Sequence, residues 1–227
     1  MKRGKKYTKL EKDLDRSKIY SLEDAVKKAK SLSYSKFVGS LELHVDLNLP
    51  KDKDAKSLKG SVSLPYSTGK KSVKIAVFTE DKVDEAKKAG ADFVGLDNLI
   101  KDIKEKKVDF DVAIATPSVM PKIAVLGKEL GPKGLMPNPK TGTVTDDIIS
   151  TISEYKKGKQ TFACDPSGVV HMSVGKLDME DDKLIENIHE AVKAIESAVG
   201  KNHTQIINKL HLTPTMGLAV KVKYIRE

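Results

Sequence analysis

Tryptophan is absent from the 227 residues, aromatic side chains supply only 5% of them, and there is a single cysteine. One thiol, Cys164, excludes an internal disulfide and any cysteine-rich metal site, and reads as a small buried hydrophobe. No apolar run approaches membrane-spanning length. The basic N-terminus lacks the apolar stretch of an export signal, so a cytoplasmic location is expected. There is no G-x-G-x-x-G fingerprint of a dinucleotide binder. Thr68-Gly69-Lys70-Lys71-Ser72 resembles the end of a phosphate loop, but Leu64 stands where the upstream glycine is required and Lys71 where a hydroxyl is required. The five histidines, His44, His171, His189, His203 and His211, show no metal-ligand spacing. Most carboxylates sit beside lysines on helix faces, which is a solvated pattern. Nothing argues for catalysis, and no cofactor is called for.

What the chain has instead is positive charge. Charged residues make up 32%, with a net charge of +9, which suggests a polyanionic partner. The excess is local. Residues 1–67 hold 16 basic and 9 acidic side chains, residues 68–158 hold 16 and 14, and residues 159–227 hold 9 of each. A loosely ordered basic arm over residues 1–18 is expected, suited to displacing counterions from phosphates.

Ser21-Leu22-Glu23-Asp24 has the form of a capping box, predicting a helix from Ser21 to about Ser31. Ser40, Glu42, His44 and Asp46 alternate with Leu41, Leu43, Val45 and Leu47, predicting a half-buried strand. A charged loop over 50–59 and a strand over Gly60–Leu64 follow. The pattern changes near residue 70. Short apolar strands at Val73–Phe78, Asp92–Gly95 and Phe110–Ala115 alternate with helical stretches at Asp81–Ala89, Asn98–Glu105, Pro117–Leu130 and Thr145–Lys157. That alternation implies βαβ units and a mostly parallel sheet. After Gly158 the half-buried strands of the N-terminal third return. Strands at Thr161–Cys164 and Val169–Val174 flank the turn Asp165-Pro166-Ser167-Gly168, and a helix is predicted over Asp182–Ala198. The fold class is therefore a discontinuous α+β domain, residues 1–67 plus 159–227, carrying an inserted α/β Rossmann-like domain at 68–158. Glycines at both crossings, Gly69 and Gly158, predict that the insert can swing.

Two stretches stand out. Thr213-Pro214-Thr215-Met216-Gly217 separates two alternating runs near the C-terminus. Ile206, Asn208, Leu210 and Leu212 share a face before it; Leu218, Val220, Val222 and Tyr224 share one after it, with Lys221 and Lys223 opposite. Pro214 and Gly217 suit a bend. The pattern alone favours an ordinary hairpin with Met216 tucked inward; the functional reading has the thioether stacking on an apolar ring while hydroxyls and amides bind polar edges. The second stretch, Gly131–Thr143, packs three glycines, three prolines and two lysines, Lys133 and Lys140, into thirteen residues. It reads either as a plain surface loop or as a rigid basic loop that approaches phosphates.

Gly131–Val144, GPKGLMPNPKTGTV, resembles the hallmark of the ribosomal protein L1 family. Lys36-Phe37 before Ser40-Leu41-Glu42, Gly60–Pro65, Gly90-Ala91-Asp92, Ala115-Thr116-Pro117, Gly168–His171, Val174-Gly175-Lys176 and Thr215-Met216-Gly217 carry the resemblance in order through the chain. It implies a non-enzymatic, RNA-binding constituent of the large ribosomal subunit, monomeric when free. The partners it implies are 23S rRNA at the mobile stalk, exit-site tRNA whose release the stalk assists, and the chain's own operon mRNA, whose translation it represses. It implies no cofactor and no membrane. By position it assigns RNA binding to Lys36, Phe37, Ser40, Glu42, Ser167, Thr213, Thr215, Met216 and Gly217, with Lys133 and Lys140 in a secondary basic loop. The departures are Pro166 for a common lysine, Ser40 for threonine and Leu218 for proline. Without the resemblance, the alternative is a small-molecule or nucleotide-binding α/β protein with a basic accessory module.

Overall fold

In the computed structural model, residues 4–49, 55, 58–69, 73–104, 108–200 and 206–223 are described. The chain divides into two compact units, one formed by Met1–Gly69 with Thr161–Glu227, the other by Lys70–Gln160. The first unit rests on a sheet whose strands are β1 (Ser40–Leu47), β7 (Val169–Lys176), β8 (Ile207–Pro214) and β9 (Val220–Val222), in the order β7-β1-β8-β9. All three pairings are antiparallel. A separate ribbon pairs β2 (Lys59–Ser63) with β6 (Lys159–Ala163).

Period-2 patterning makes β1 what it is. Leu41, Leu43, Val45 and Leu47 are buried, and Ser40, Glu42, His44 and Asp46 lie on the other face. Each buried aliphatic side chain contributes about 1.5–3 kcal/mol. Two helices cover the apolar face. In α2 (Leu22–Ser31) the Ser21 hydroxyl accepts a hydrogen bond from the Asp24 amide at 3.2 Å, and Ala25, Val26 and Ala29 turn inward. Glu23 and Asp24 in its first turn, with Lys28 and Lys30 in its last, complement the helix dipole. In α8 (Asp181–Val199) Leu184, Ile188, Ala191, Val192 and Ile195 form the buried stripe, and Gly200 at φ 74° ends the helix in a left-handed conformation. The one polar residue on that stripe is the wholly buried Asn187. It accepts from the Tyr66 amide at 3.0 Å and donates to the carbonyls of Tyr66 (3.1 Å) and Val174 (2.7 Å).

The second unit holds a parallel sheet in the order β4-β3-β5, with β3 (Ile75–Phe78) between β4 (Phe93–Gly95) and β5 (Val112–Ala115). Every residue of β3 is buried. Ala76 and Phe78 face one apolar layer, and Ile75 and Val77 face another that includes Ile148, Ile152 and Tyr155. A strand covered on both sides reads as a continuous apolar run. The flanking helices are α3 (Val83–Lys88), α4 (Asp97–Lys104) and α7 (Ile148–Lys157), the last capped by Asp147 accepting from the Ser150 amide. The Tyr155 hydroxyl donates to the Thr141 carbonyl; burial first, then Glu154, pushes it up to about 12.

Three expectations change. Part of the basic arm is an ordered helix: α1 spans Lys5–Asp13, with Tyr7 and Leu10 packed against the core and Leu14 buried just after it. The helix expected over Pro117–Leu130 is broken into 3₁₀ turns around two short helical pieces, α5 (Met120–Ile123) and α6 (Gly127–Leu130). Pro121 supplies no amide hydrogen to the turn before it, yet Val119, Ile123, Leu126 and Leu130 keep their helical spacing and stay buried. The two strands flank the turn Asp165–Gly168 as expected, and they join different partners: β6 pairs with β2 and β7 with β1, with a Cys164–Val170 bridge beside the turn. Met216 faces outward rather than inward. Most of the charged loop expected over 50–59, and Tyr224, lie outside the described residues.

Candidate nucleic-acid interface

The polar face of the four-stranded sheet brings together residues far apart in the chain. Antiparallel pairing sets Ser40 against Lys176, and Glu42 against Ser173 on one side and Thr213 on the other. Where β1 begins and β8 ends, the two backbones are locked. The Thr215 amide donates to the Ser40 carbonyl at 2.9 Å, and the Ser40 amide donates to Thr215 Oγ1 at 2.9 Å. Thr215 Oγ1 in turn donates to the Ser40 carbonyl at 3.1 Å. Gly39 sits close by: a Cβ there would stand 3.1 Å from both Thr215 Cβ and Leu177 Cδ1.

Beyond this lock two apolar side chains face solvent. Phe37 is 58% exposed and Met216 is 59% exposed, with Val38 beside Phe37 also open. Large apolar groups presented together at one end of a sheet mark an interaction surface better than scattered ones. Ser35 Oγ donates to the Phe37 carbonyl at 2.8 Å, closing the turn that presents the ring. Met216 has φ 62°, the one positive φ at a non-glycine among the described residues. That left-handed conformation swings its side chain away from the core, and it costs about 1–2 kcal/mol. Gly217 serves a different purpose from the one its type suggested. Its φ is ordinary, but a Cβ there would run into the Pro214 ring and lie 2.9 Å from the Leu32 carbonyl. The Gly217 amide donates to the Pro214 carbonyl at 2.8 Å, which tightens the turn.

Lys36 is exposed next to Phe37, and Glu42 and Thr213 are half-buried partners. Eight of the sequence-derived residues, Lys36, Phe37, Ser40, Glu42, Thr213, Thr215, Met216 and Gly217, thus fall in one region. Ser167 does not join them. It lies in the exposed turn before β7, whose first residue pairs with Asp46 near the far end of β1. There Asp165 accepts from the amides of Ser167 and Val169, both at 2.9 Å, and from Ser167 Oγ at 3.1 Å. These bonds, with the Val169 amide foremost, hold the Asp165 carboxyl below its usual range.

Register also reveals what spacing alone missed. His44 stands directly between His171 of β7 and His211 of β8. His44 Nδ1 and His171 Nδ1 are 2.6 Å apart, so one ring donates to the other. Burial, then His171, lowers the His44 imidazole below its ordinary value; burial, then Lys221 and Lys209, lowers His211. Asp46 on the next outward position of β1 accepts from Asn208 at 2.8 Å. Three strands had to be aligned before this row existed. Among the described residues no group of three or more His, Cys, Asp or Glu could hold a metal ion, and no helix is long and apolar enough to cross a membrane.

Lys133 and Lys140 belong to the second unit, and both are exposed. The loop that carries them is internally wired. The Asn138 side chain accepts from the Lys140 amide at 2.9 Å, and its carbonyl accepts from the hydroxyls of Thr141 (2.9 Å) and Thr143 (3.1 Å). Gly142 turns the chain at φ 67°.

Comparison with known proteins matches residues 26–218 to the ribosomal protein L1p/L10e family. The chain is 45% identical to the large ribosomal subunit protein uL1 of Fervidobacterium nodosum, over 97% of this chain and 95% of that protein. It is 44% identical to the protein of the same name from Leptospira biflexa, over 98% and 96%. With that of Flavobacterium psychrophilum it shares 41%, over 95% and 96%.

Proposed function

The chain belongs to the ribosomal protein L1 family, and from that premise we propose that it is a non-catalytic constituent of the large ribosomal subunit that binds ribosomal RNA through its first unit. The finer reading has three parts. The RNA is the 23S rRNA of the mobile stalk; the protein assists release of tRNA from the exit site; and the same surface binds the chain's own operon mRNA and represses its translation.

The observation that carries this reading is the Ser40–Thr215 lock with Phe37 and Met216 exposed beyond it. RNA is read chiefly where it leaves the regular helix, through stacking on splayed bases and contacts to 2′-hydroxyls. Phe37 and Met216 offer apolar faces to sugars or bases. Ser40 and Thr213 offer hydroxyls, and the Thr215 oxygen, whose hydrogen goes to the Ser40 carbonyl, keeps one lone pair to accept. Glu42 accepts from base amino groups or a 2′-hydroxyl and repels phosphates, which favours one orientation of the strand. Lys36 and the basic N-terminal segment supply the phosphate contacts, and those are sequence-independent.

The test is binding of the full chain to a stalk-derived rRNA fragment, to an unrelated hairpin and to mononucleotides, across a salt series. The reading expects tight binding to the fragment, with log K falling linearly with log salt. Tight binding to mononucleotides without binding to the fragment would favour the nucleotide-binding α/β alternative.

A further inference from the structure

A cavity of about 510 Å3 opens within the first unit beside the Thr213–Gly217 segment. One wall is the turn that follows α1; the other is β8 and the segment leading into β9. Buried Leu14 and Leu218 give it an apolar floor, and the exposed Arg16, Lys18 and Lys221 stand at its rim. Thr213 and Gly217 line both this cavity and the candidate RNA surface, so the two are continuous.

We propose that this cavity receives one unstacked nucleotide of the bound RNA, its base over the Leu14–Leu218 floor and its phosphate at the Arg16–Lys18–Lys221 rim. The proposal rests on the RNA-binding reading and adds to it a site on the other flank of β8 from Glu42.

Size, charge and order each point to this occupant. Small-ligand pockets begin at about 300 Å3, so the volume suits a nucleotide and exceeds the needs of a bare phosphate. The rim carries Arg16, which is paired with Glu11, and the two lysines Lys18 and Lys221. Its one carboxylate, Asp15, is folded back on Ser17, accepting from the Ser17 amide at 2.9 Å and from its hydroxyl at 2.6 Å. Arg16 Nη2 donates to Glu11 at 2.6 Å and reaches the Tyr7 hydroxyl at 3.4 Å, so guanidinium and ring are ordered before anything binds. Lys18 Nζ lies 5.1 Å from the centre of the Tyr20 ring. His211 lines the same space, and after burial the chief influences lowering its imidazole are Lys221 and Lys209, with Asp46 opposing them. Lys221 thus stands both at the rim and beside His211, where a phosphate could reach it. Unstacking costs least for a base already outside a duplex, and the first unit's neighbouring surface suits such bases.

The experiment has two arms on the full chain. In the first, binding of the stalk-derived rRNA fragment is measured for wild type, Lys221→Gln and Ala219→Trp. Lys221 and Ala219 are both exposed; the tryptophan fills the cavity, and thermal melts confirm that each variant folds. In the second, 15N-labelled protein is titrated with each of the four ribonucleoside 5′-monophosphates and with inorganic phosphate. The proposal expects both variants to weaken RNA binding about ten- to hundredfold. It also expects weak monophosphate-induced shifts at Lys18, Ala219 and Lys221 that phosphate alone does not reproduce. RNA binding unchanged in both variants, while Thr215→Ala weakens it, overturns the cavity and leaves the RNA reading standing. Monophosphate shifts at the cavity with no effect of the variants on RNA assign the site to free nucleotides and overturn the RNA source. No binding of wild type to the fragment overturns the RNA reading itself, and the cavity's role in RNA binding with it.

Discussion

Ser40 and Thr215 are joined by three hydrogen bonds, two of them through the Thr215 hydroxyl. The hydroxyl stands in for a backbone carbonyl at the point where β8 would otherwise leave the ladder. It also fixes the position from which Met216 projects, so one side chain serves both the fold and the surface.

Thr215→Val keeps the shape and removes the hydroxyl. The half-buried Ser40 amide then loses its acceptor, and unfolding free energy is expected to fall by about 1–3 kcal/mol. Affinity for the rRNA fragment should fall as well, while Thr215→Ser restores most of both. Denaturant melts and filter binding measure the pair. A valine variant that melts and binds like wild type contradicts the role given to the lock.

Met216→Gly separates stability from binding. Glycine tolerates φ 62° without steric cost, so the thermal midpoint should hold or rise despite glycine's greater chain entropy. Specific RNA affinity should drop by about 1–3 kcal/mol, with little change on an unrelated hairpin. Equal losses on both RNAs would mean that the thioether contributes no specificity.

Gly217→Ala should act in the opposite sense. The added methyl meets the Pro214 ring and the Leu32 carbonyl, neither of which can yield easily. Overpacking of this kind costs about 1–3 kcal/mol. The readout is a lower midpoint in urea, with an unchanged m-value.

The histidine row predicts a pH dependence. His44 and His211 are held below the unfolded histidine value in the native state. The groups facing them are His171, Glu42 and Asp46 from the flanking positions, with Lys209 and Lys221 on the His211 side. An unfolded chain takes up those protons first, near pH about 6.5, so native stability is fully present above that pH and declines as pH falls through the depressed native values. His44→Asn together with His211→Asn should flatten the decline between about pH 7 and 5. A slope unchanged in the double variant would assign the effect elsewhere.

Much of the fold can be read from local pattern. Ser21 announces α2, the alternation over 40–47 gives β1, and the apolar stripe from Leu184 to Ile195 gives α8. These signals are short-range, and the structure keeps them. What escapes such reading depends on distant partners. Helix α1 is lysine-rich and none of its residues is fully buried; only Tyr7 and Leu10 tie it to the core, too few to set a period. The pairing of β6 with β2 rather than β7 is a choice between non-local ladders that turn chemistry at Asp165–Gly168 does not decide. Alternation on either side of Met216 points it inward, and a left-handed φ reverses it. The same limit applies to the site. Lys36, Phe37, Thr215 and Met216 come from family resemblance, whereas the His171–His44–His211 row needs the register of three strands.

The central claim is that RNA lies on the sheet end built by Ser40 and Thr215. Amide hydrogen exchange of the full chain, with and without a saturating stalk-derived rRNA fragment, tests it most directly. The account predicts new protection concentrated in residues 36–42 and 213–217. Protection confined to the Lys133–Lys140 loop, with residues 36–42 and 213–217 exchanging as in the free protein, would contradict it.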